Sequence, residues 1–204
     1  MDILIDIGRV LLDFEYEGSL ERLLPSDTPD REARLAKLLD RKDEFEAGRI
    51  DVETYVDWAL GVLESDATAD EFCDAWRQIF TPNEPMWRCV KRLAAEGHRL
   101  ILFSNINGIH VPWIYDEFPG FRLFHGAVLS FHTGFIKPQA EMYEYAVREY
   151  GLDPQQTLYI DDLAQNVEAG RAFGFATWQY DLNDHAAFEA WLDRSLSSEI
   201  STHP

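Results

Sequence analysis

Short, wholly apolar runs recur along this chain, and most of them stop at a polar cluster. Ile3-Leu4-Ile5 ends at Asp6, Leu100-Ile101-Leu102-Phe103 at Ser104-Asn105, Ala127-Val128-Leu129 at Ser130, and Leu158-Tyr159-Ile160 at Asp161-Asp162. Phe175-Ala176-Thr177-Trp178 follows a glycine. Runs that are apolar on consecutive residues predict strands buried on both faces. Between them the apolar period changes to that of a helix. Met86, Val90, Leu93 and Ala94 share one face and stop before Gly97; Tyr143, Ala146, Val147 and Tyr150 share another and stop at Gly151; Val167, Arg171 and Phe173 precede Gly174. Glycine is the usual residue just past a helix C-terminus. Alternating buried strands and helices predict an α/β fold with a doubly wound parallel sheet.

Residues 15–83 break that rhythm. They show helical stretches, such as Ala33 to Phe45 and Val52 to Leu63, and no strand-like run. The pattern predicts a core from residues 1–14 and 84–194, with a small all-helical cap, 15–83, inserted after the first strand. Residues 195–204, rich in Ser and Thr, read as a frayed, disordered tail.

Composition narrows the function. The 204 residues carry a formal charge of −19, yet 46% are hydrophobic and 13% aromatic, so this is a folded protein and not a disordered polyanion. Residues 13–74 hold 19 acidic and 7 basic residues, so this stretch, nearly all of it in the cap region, carries −12 of the total. That field repels nucleic acid and anionic membrane surfaces, and neither is expected as a partner. Cys73 and Cys89 form no CxxC or zinc pattern and read as buried free thiols in a reducing compartment. No signal peptide and no spanning run is visible, which predicts a soluble cytoplasmic protein, monomer or homodimer.

Open parallel sheets bind ligands at the carboxyl ends of their strands. Asp6, Ser104-Asn105 and Asp161-Asp162 are expected there, with Lys137 in the loop Gly134-Phe135-Ile136-Lys137-Pro138. Taken singly, these residues also suit helix caps, turns and surface positions. Their conjunction points to chemistry. Three carboxylates in one crevice repel unless a cation sits among them, and oxygen donors suit Mg²⁺. With Lys137, such an ion would balance a phosphate dianion, and one carboxylate would serve as nucleophile.

The same residues carry a family resemblance. The run Ile3 to Val10 resembles the first motif of the haloacid dehalogenase superfamily of hydrolases. Leu102-Phe103-Ser104-Asn105 resembles the second, Lys137-Pro138 the third, and Tyr159-Ile160-Asp161-Asp162 with Asn166 the fourth. The motifs come in family order, and the helical insertion resembles the family's helical-cap subclass on its Rossmann-like core. Within it the chain looks closest to small sugar-phosphate phosphatases such as the glucose-1-phosphate phosphatase branch. The resemblance implies Asp6 as nucleophile and Mg²⁺ ligand, the Gly8 carbonyl as a second ligand, and Asp162 as a third with Asp161 beside it as ligand or water-mediated partner. It implies Ser104 and the Asn105 backbone on the phosphoryl oxygens, Lys137 on phosphate and nucleophile, and Asn166 orienting the acidic loop.

One position departs from the pattern. Most phosphatases of the superfamily carry an acid–base Asp two residues after the nucleophile, where this chain has Gly8. Asp13 and Glu46 are alternative proton donors, a substrate hydroxyl or bound water another. Arg9 either adds charge near the site or faces solvent. In the cap turn Phe45 to Ile50, Glu46 and Arg49 are expected either to read the substrate or to belong to a plain turn stopped by Gly48. The aromatic residues Trp87, Trp113, Tyr115 and Phe118 read as packing, and His110 as structural. The leading expectation is a Mg²⁺-dependent phosphatase of a small phosphorylated metabolite, acting through an aspartyl-phosphate. Metal-independent release of halide from a 2-haloacid, and a catalytically weak binding protein, are the alternatives.

Overall fold

The computed structural model describes residues 1–200, and side chains as far as residue 197. In chain order it runs β1 (Asp2–Ile5), β2 (Leu12–Phe14), α1 (Glu17–Glu21), α2 (Arg31–Ala36), α3 (Lys42–Glu46), α4 (Val52–Leu63), α5 (Ala69–Arg77) and β3 (Phe80–Pro82). It continues with α6 (Glu84–Ala95), β4 (Arg99–Ser104), α7 (His110–Glu117), β5 (Gly126–Leu129), α8 (Ser130–Thr133), α9 (Ala140–Tyr150), β6 (Thr157–Asp161), α10 (Ala164–Phe173), β7 (Ala176–Gln179) and α11 (His185–Ile200).

Five strands form one parallel sheet in the order β5-β4-β1-β6-β7. The five apolar runs of the sequence are these strands. Successive side chains alternate faces, so each run supplies two cores at once. Ile3 and Ile5, Leu100 and Leu102, and Leu158 and Ile160 pack with α6 and α11 residues such as Met86, Val90, Phe188 and Leu192. Leu4, Ile101, Phe103 and Tyr159 face the other way, onto Met142, Tyr143 and Ala146 of α9. A one-residue slip in any strand would exchange the two sets, which fixes the register. No described helix is long and apolar enough to cross a membrane.

The cap helices have their own core, built around Phe45, Tyr55, Phe72 and Trp76. Asp51 caps α4 by accepting from the Thr54 N–H at 2.8 Å, and Thr68 with Glu71 forms a reciprocal capping box on α5.

Three sequence expectations are corrected. Residues 15–83 are not purely helical: β3 pairs antiparallel with β2, placing Leu12, Asp13 and Phe14 opposite Pro82, Thr81 and Phe80. This short ribbon brackets the cap helices. The single helix expected from Ala33 to Phe45 is interrupted by a 3₁₀ segment, Lys37–Arg41, between α2 and α3. The tail expected from Ser195 is helical as far as Ile200, because Trp191 and Leu192 anchor α11 on the sheet; residues 201–204 lie outside the described residues.

Candidate active site

Strand β1 lies between β4 and β6, so the carboxyl ends of three neighbouring strands deliver Asp6, Ser104 and Asp161 to one place. Asp6 follows β1 directly, and its N–H donates to the Ile160 carbonyl at 3.0 Å. Asp6 Oδ1 accepts from the Ile7 N–H at 2.8 Å and lies 3.0 Å from Lys137 Nζ.

Lys137 is almost wholly buried. Its ammonium donates to the Phe103 carbonyl at 2.7 Å and to Asp161 Oδ2 at 2.6 Å. Burial opposes its charge, but attraction to Asp161 and Asp6 outweighs that cost and holds Lys137 above the usual lysine range. Asn105 lines the crevice, and its side chain braces the lysine loop. It binds the Lys137 backbone on both sides, accepting from N–H at 2.8 Å and donating to C=O at 3.0 Å.

Asp161 is fully engaged. Oδ2 accepts from Lys137 Nζ and from the Tyr159 hydroxyl at 2.6 Å, and Oδ1 accepts from the Leu163 N–H at 2.9 Å and from Asn166 Nδ2 at 3.0 Å. Asn166 is itself buried and held by Tyr143, whose hydroxyl donates to its carbonyl. Asp162 is only half-buried. Burial, then the neighbouring Asp161 charge, raise its pKa to about 6. Burial also raises Asp6, to about 7, against the pull of Lys137.

Asp6, Asp161 and Asp162 each offer a carboxylate oxygen within 4.8 Å of the others. Against three carboxylates the described cluster has one ammonium. All-oxygen donors with excess negative charge fit a hard divalent ion such as Mg²⁺. Asp6 and Asp162 are the carboxylates with capacity to hold it, since four donors already occupy Asp161.

The cluster opens into a cleft of about 320 Å³ between core and cap. Gly8 lines it, in a tight turn where Leu11 and Leu12 both donate to the Ile7 carbonyl. A Cβ at Gly8 would sit 3.2 Å from Phe14 Cε1, so the Phe14 ring occupies the space beside this position. Arg9 adopts a left-handed backbone (φ 55°), stacks on Phe14 and pairs with Asp13. That pair is half-exposed and outside the cleft lining, which separates the two alternative proton donors: Glu46 lines the cleft and Asp13 does not.

Glu46 is held above the ordinary carboxylate range by burial, opposed by Lys42, which lies 3.6 Å away. Arg49 is exposed and does not line the cleft. His110 does line it, but both ring nitrogens are used: Nδ1 meets Asn107 Nδ2 at 3.2 Å and Nε2 meets the Trp76 carbonyl at 3.0 Å. Trp87, Tyr115 and Phe118 pack on Phe121, and Trp113 packs on Phe118 and Phe80. Sequence reasoning missed the aromatic wall of the cleft. Phe14, Phe45, Trp76 and Phe80 come from four separate elements, and only the alternation Leu12-Asp13-Phe14 hinted at the ribbon that places two of them.

The profile of the haloacid dehalogenase-like hydrolases matches residues 31–174. The chain belongs to this hydrolase family. Among characterised relatives of this haloacid dehalogenase-like chain, it is 24% identical over 188 residues to the D-ribitol-5-phosphate phosphatase of Bacteroides thetaiotaomicron, covering 87% of this chain and 90% of that one. It is 24% identical over 139 residues to a sesquiterpene phosphatase of Aspergillus oryzae, covering 61% and 71%. Its fold superposes with a TM-score of 0.77, at 22% identity and over 89% of this chain and 94% of the other, on a haloacid dehalogenase family enzyme of B. thetaiotaomicron solved with magnesium and inorganic phosphate.

Proposed function

We propose that the protein is a Mg²⁺-dependent phosphatase that hydrolyses a small phosphomonoester through an aspartyl-phosphate on Asp6. One observation carries this reading: Asp6, at the carboxyl end of the central strand, lies 3.0 Å from the buried Lys137 ammonium, in a cleft it shares with Ser104 and Asp162. Relatives named as phosphatases, and the related structure holding magnesium and phosphate, support the same reading.

The residues divide the work as follows. Lys137 pulls Asp6 towards its ionised form, against the effect of burial, and attracts the phosphoryl oxygens. The Ser104 hydroxyl, at the end of β4, and the backbone of Asn105 bind those oxygens. An Asp6 oxygen attacks phosphorus, the bond from phosphorus to the ester oxygen breaks, and the departing oxygen takes up a proton. Water then attacks the phosphorus of the aspartyl-phosphate, releasing inorganic phosphate and restoring the Asp6 carboxylate. Asp6 and Asp162, with the Gly8 carbonyl, would hold Mg²⁺, which supplies positive charge to the phosphoryl oxygens. Asp161 and Asn166 position Lys137 and the acidic loop. Glu46 is the cleft carboxyl able to exchange a proton with the ester oxygen or with water, a contribution typically worth ~10²–10⁴-fold.

The test is phosphate release from p-nitrophenyl phosphate and a metabolite panel with Mg²⁺, compared with Asp6→Asn and with chelator. Turnover that survives in Asp6→Asn would end this reading. Chelator-insensitive chloride release from 2-chloropropionate would replace it with dehalogenation.

A further inference from the structure

The cleft has two chemically distinct ends. Where it meets the sheet it is charged and closely hydrogen-bonded. Where it meets the cap it is walled by Phe14, Tyr16, Phe45, Trp76, Ile79 and Phe80. This wall begins immediately beside the nucleophile, since the Phe14 ring is packed on Gly8.

Three polar side chains along that wall, Tyr55, Asn107 and His110, are spent within the protein. The Tyr55 hydroxyl donates to the Leu38 carbonyl at 3.0 Å. Asn107 Oδ1 accepts from the N–H groups of Ile109 and His110, and Asn107 Nδ2 meets the His110 ring. His110 closes on the Trp76 carbonyl. What remains for a ligand at this end is the Glu46–Lys42 pair, the half-buried Tyr16 and the Trp76 Nε1–H, which is buried without a partner; the other unpartnered buried atom of the lining, Asn166 Oδ1, lies at the charged end beside Asp161. A polyol carries a hydroxyl on every carbon, and each one buried here without a partner would be penalised. An apolar group instead gains from leaving water, and a ring gains further from edge or face contact with the aromatic wall.

We propose that the group esterified to phosphate is apolar, so that the substrate is an aryl or prenyl-like phosphomonoester and not a sugar or polyol phosphate. This rests on the phosphatase reading above and narrows its substrate. The cleft volume of about 320 Å³ suits one or two rings or a short branched chain and lies near the small end of ligand pockets.

The experiment compares kcat/KM for 1-naphthyl phosphate and dimethylallyl monophosphate with that for ribitol 5-phosphate and glucose 1-phosphate, all with Mg²⁺. Acetyl phosphate, which has almost no leaving-group surface, reports the phosphoryl chemistry alone. The expected result is a preference of at least ~10-fold for an apolar ester over both hydroxylated ones, the scale that a few buried methylenes supply. The ratio of naphthyl to acetyl phosphate kcat/KM should fall, mainly through KM, in Phe14→Asn and in Leu39→Asn. Leu39 lines the cleft but is 41% exposed, so that second variant is chosen to keep the fold. Which apolar ester is preferred decides between a ring and a chain. Hydroxylated esters turned over as well as or better than apolar ones, with acetyl phosphate active, would overturn the inference and leave the phosphatase reading standing. No Asp6-dependent turnover of any of the esters or of acetyl phosphate would remove the phosphatase reading and the inference with it.

Discussion

The amide of Asn105 clasps the backbone of Lys137 from both sides, N–H to Oδ1 at 2.8 Å and Nδ2–H to C=O at 3.0 Å. The two residues are 32 positions apart, at the end of β4 and in the loop before α9, so this pair sets where the lysine loop sits relative to the sheet. Lys137 Nζ then reaches Asp6, Asp161 and the Phe103 carbonyl without a side-chain search.

Asn105→Ala removes both of those hydrogen bonds. At about 1 kcal/mol each, stability should fall by ~2 kcal/mol in urea titrations. Because Lys137 is then placed less accurately, kcat should fall more than KM rises. Asn105→Asp keeps the acceptor and loses the donor, and should retain part of the activity. A variant with lowered stability and unchanged kcat would show that Asn105 only braces the fold.

The two adjacent acids should separate experimentally. Four donors saturate Asp161, whereas Asp162 is half-buried with its pKa raised to about 6. Asp162→Asn is expected to abolish the Mg²⁺-induced rise in thermal stability, which for the parent protein would be about 2.7 kcal/mol at a hundredfold excess over Kd. Asp161→Asn should instead destabilise the protein in chelator by ~2 kcal/mol or more, because charged hydrogen bonds are lost. Differential scanning calorimetry with Mg²⁺ and with EDTA reads both effects.

Gly48 fixes the cap turn that carries Glu46. Its backbone is left-handed, at φ 65°, and a Cβ there would lie 2.3 Å from the Phe131 carbonyl oxygen in α8. Gly48→Ala therefore meets both a strained conformation, costing about 1–2 kcal/mol, and a backbone clash. The turn must lift off α8. Thermal stability should fall and KM should rise, as Glu46 and Phe45 leave the cleft wall. A normal KM with lowered stability would dissociate the turn from substrate binding.

The sheet was readable because its strands are buried on both faces: runs such as Leu100 to Phe103 leave little alternative to a central parallel strand. The charged end of the site was readable for the same reason, since Asp6, Ser104 and Asp161 sit where those runs stop. The cap end was not. The β2–β3 ribbon has three residues on each side, too few for a period-two signal, and Pro82 ends one strand. The aromatic wall depends on how ribbon and cap helices meet, which no local pattern encodes. Helix α3 was misjudged because the apolar spacing from Ala33 to Phe45 runs on smoothly through a segment whose backbone tightens to 3₁₀.

His110 gives the last prediction, because its surroundings admit only a neutral ring. It stacks on Trp76 at 6.0 Å, meets the Phe80 ring edge-on at 4.8 Å, and places Nε2 against the Trp76 carbonyl and Nδ1 against Asn107 Nδ2. Nε2 thus donates and Nδ1 accepts, which a protonated ring could not do. Burial lowers its pKa to about 3; the Trp76 carbonyl opposes this and the nearby Arg77 charge adds to it. In the unfolded chain the group titrates near ~6.5. Above that pH both states are neutral and the full stability is present. As pH falls from ~6.5 towards about 3, the unfolded state binds a proton that the folded state refuses, so stability is lost at up to ~1.4 kcal/mol per pH unit. His110→Gln keeps an amide donor for the Trp76 carbonyl and removes the titration. Its unfolding free energy should start lower at pH 7 but decline less steeply between pH 6 and 4 than that of the parent protein. The carboxylates titrate in both proteins, so the difference in slope isolates His110. Because the Nε2 bond joins α7 of the core to α5 of the cap, protonation of His110 in the opened cap should favour opening, and the protection factors of α5 amides, corrected for the intrinsic exchange rate, should fall below pH 6 more in the parent protein than in His110→Gln. Parallel slopes and matching α5 protection factors in the two proteins would show that the folded state accepts the proton and that His110 does not tie cap to core.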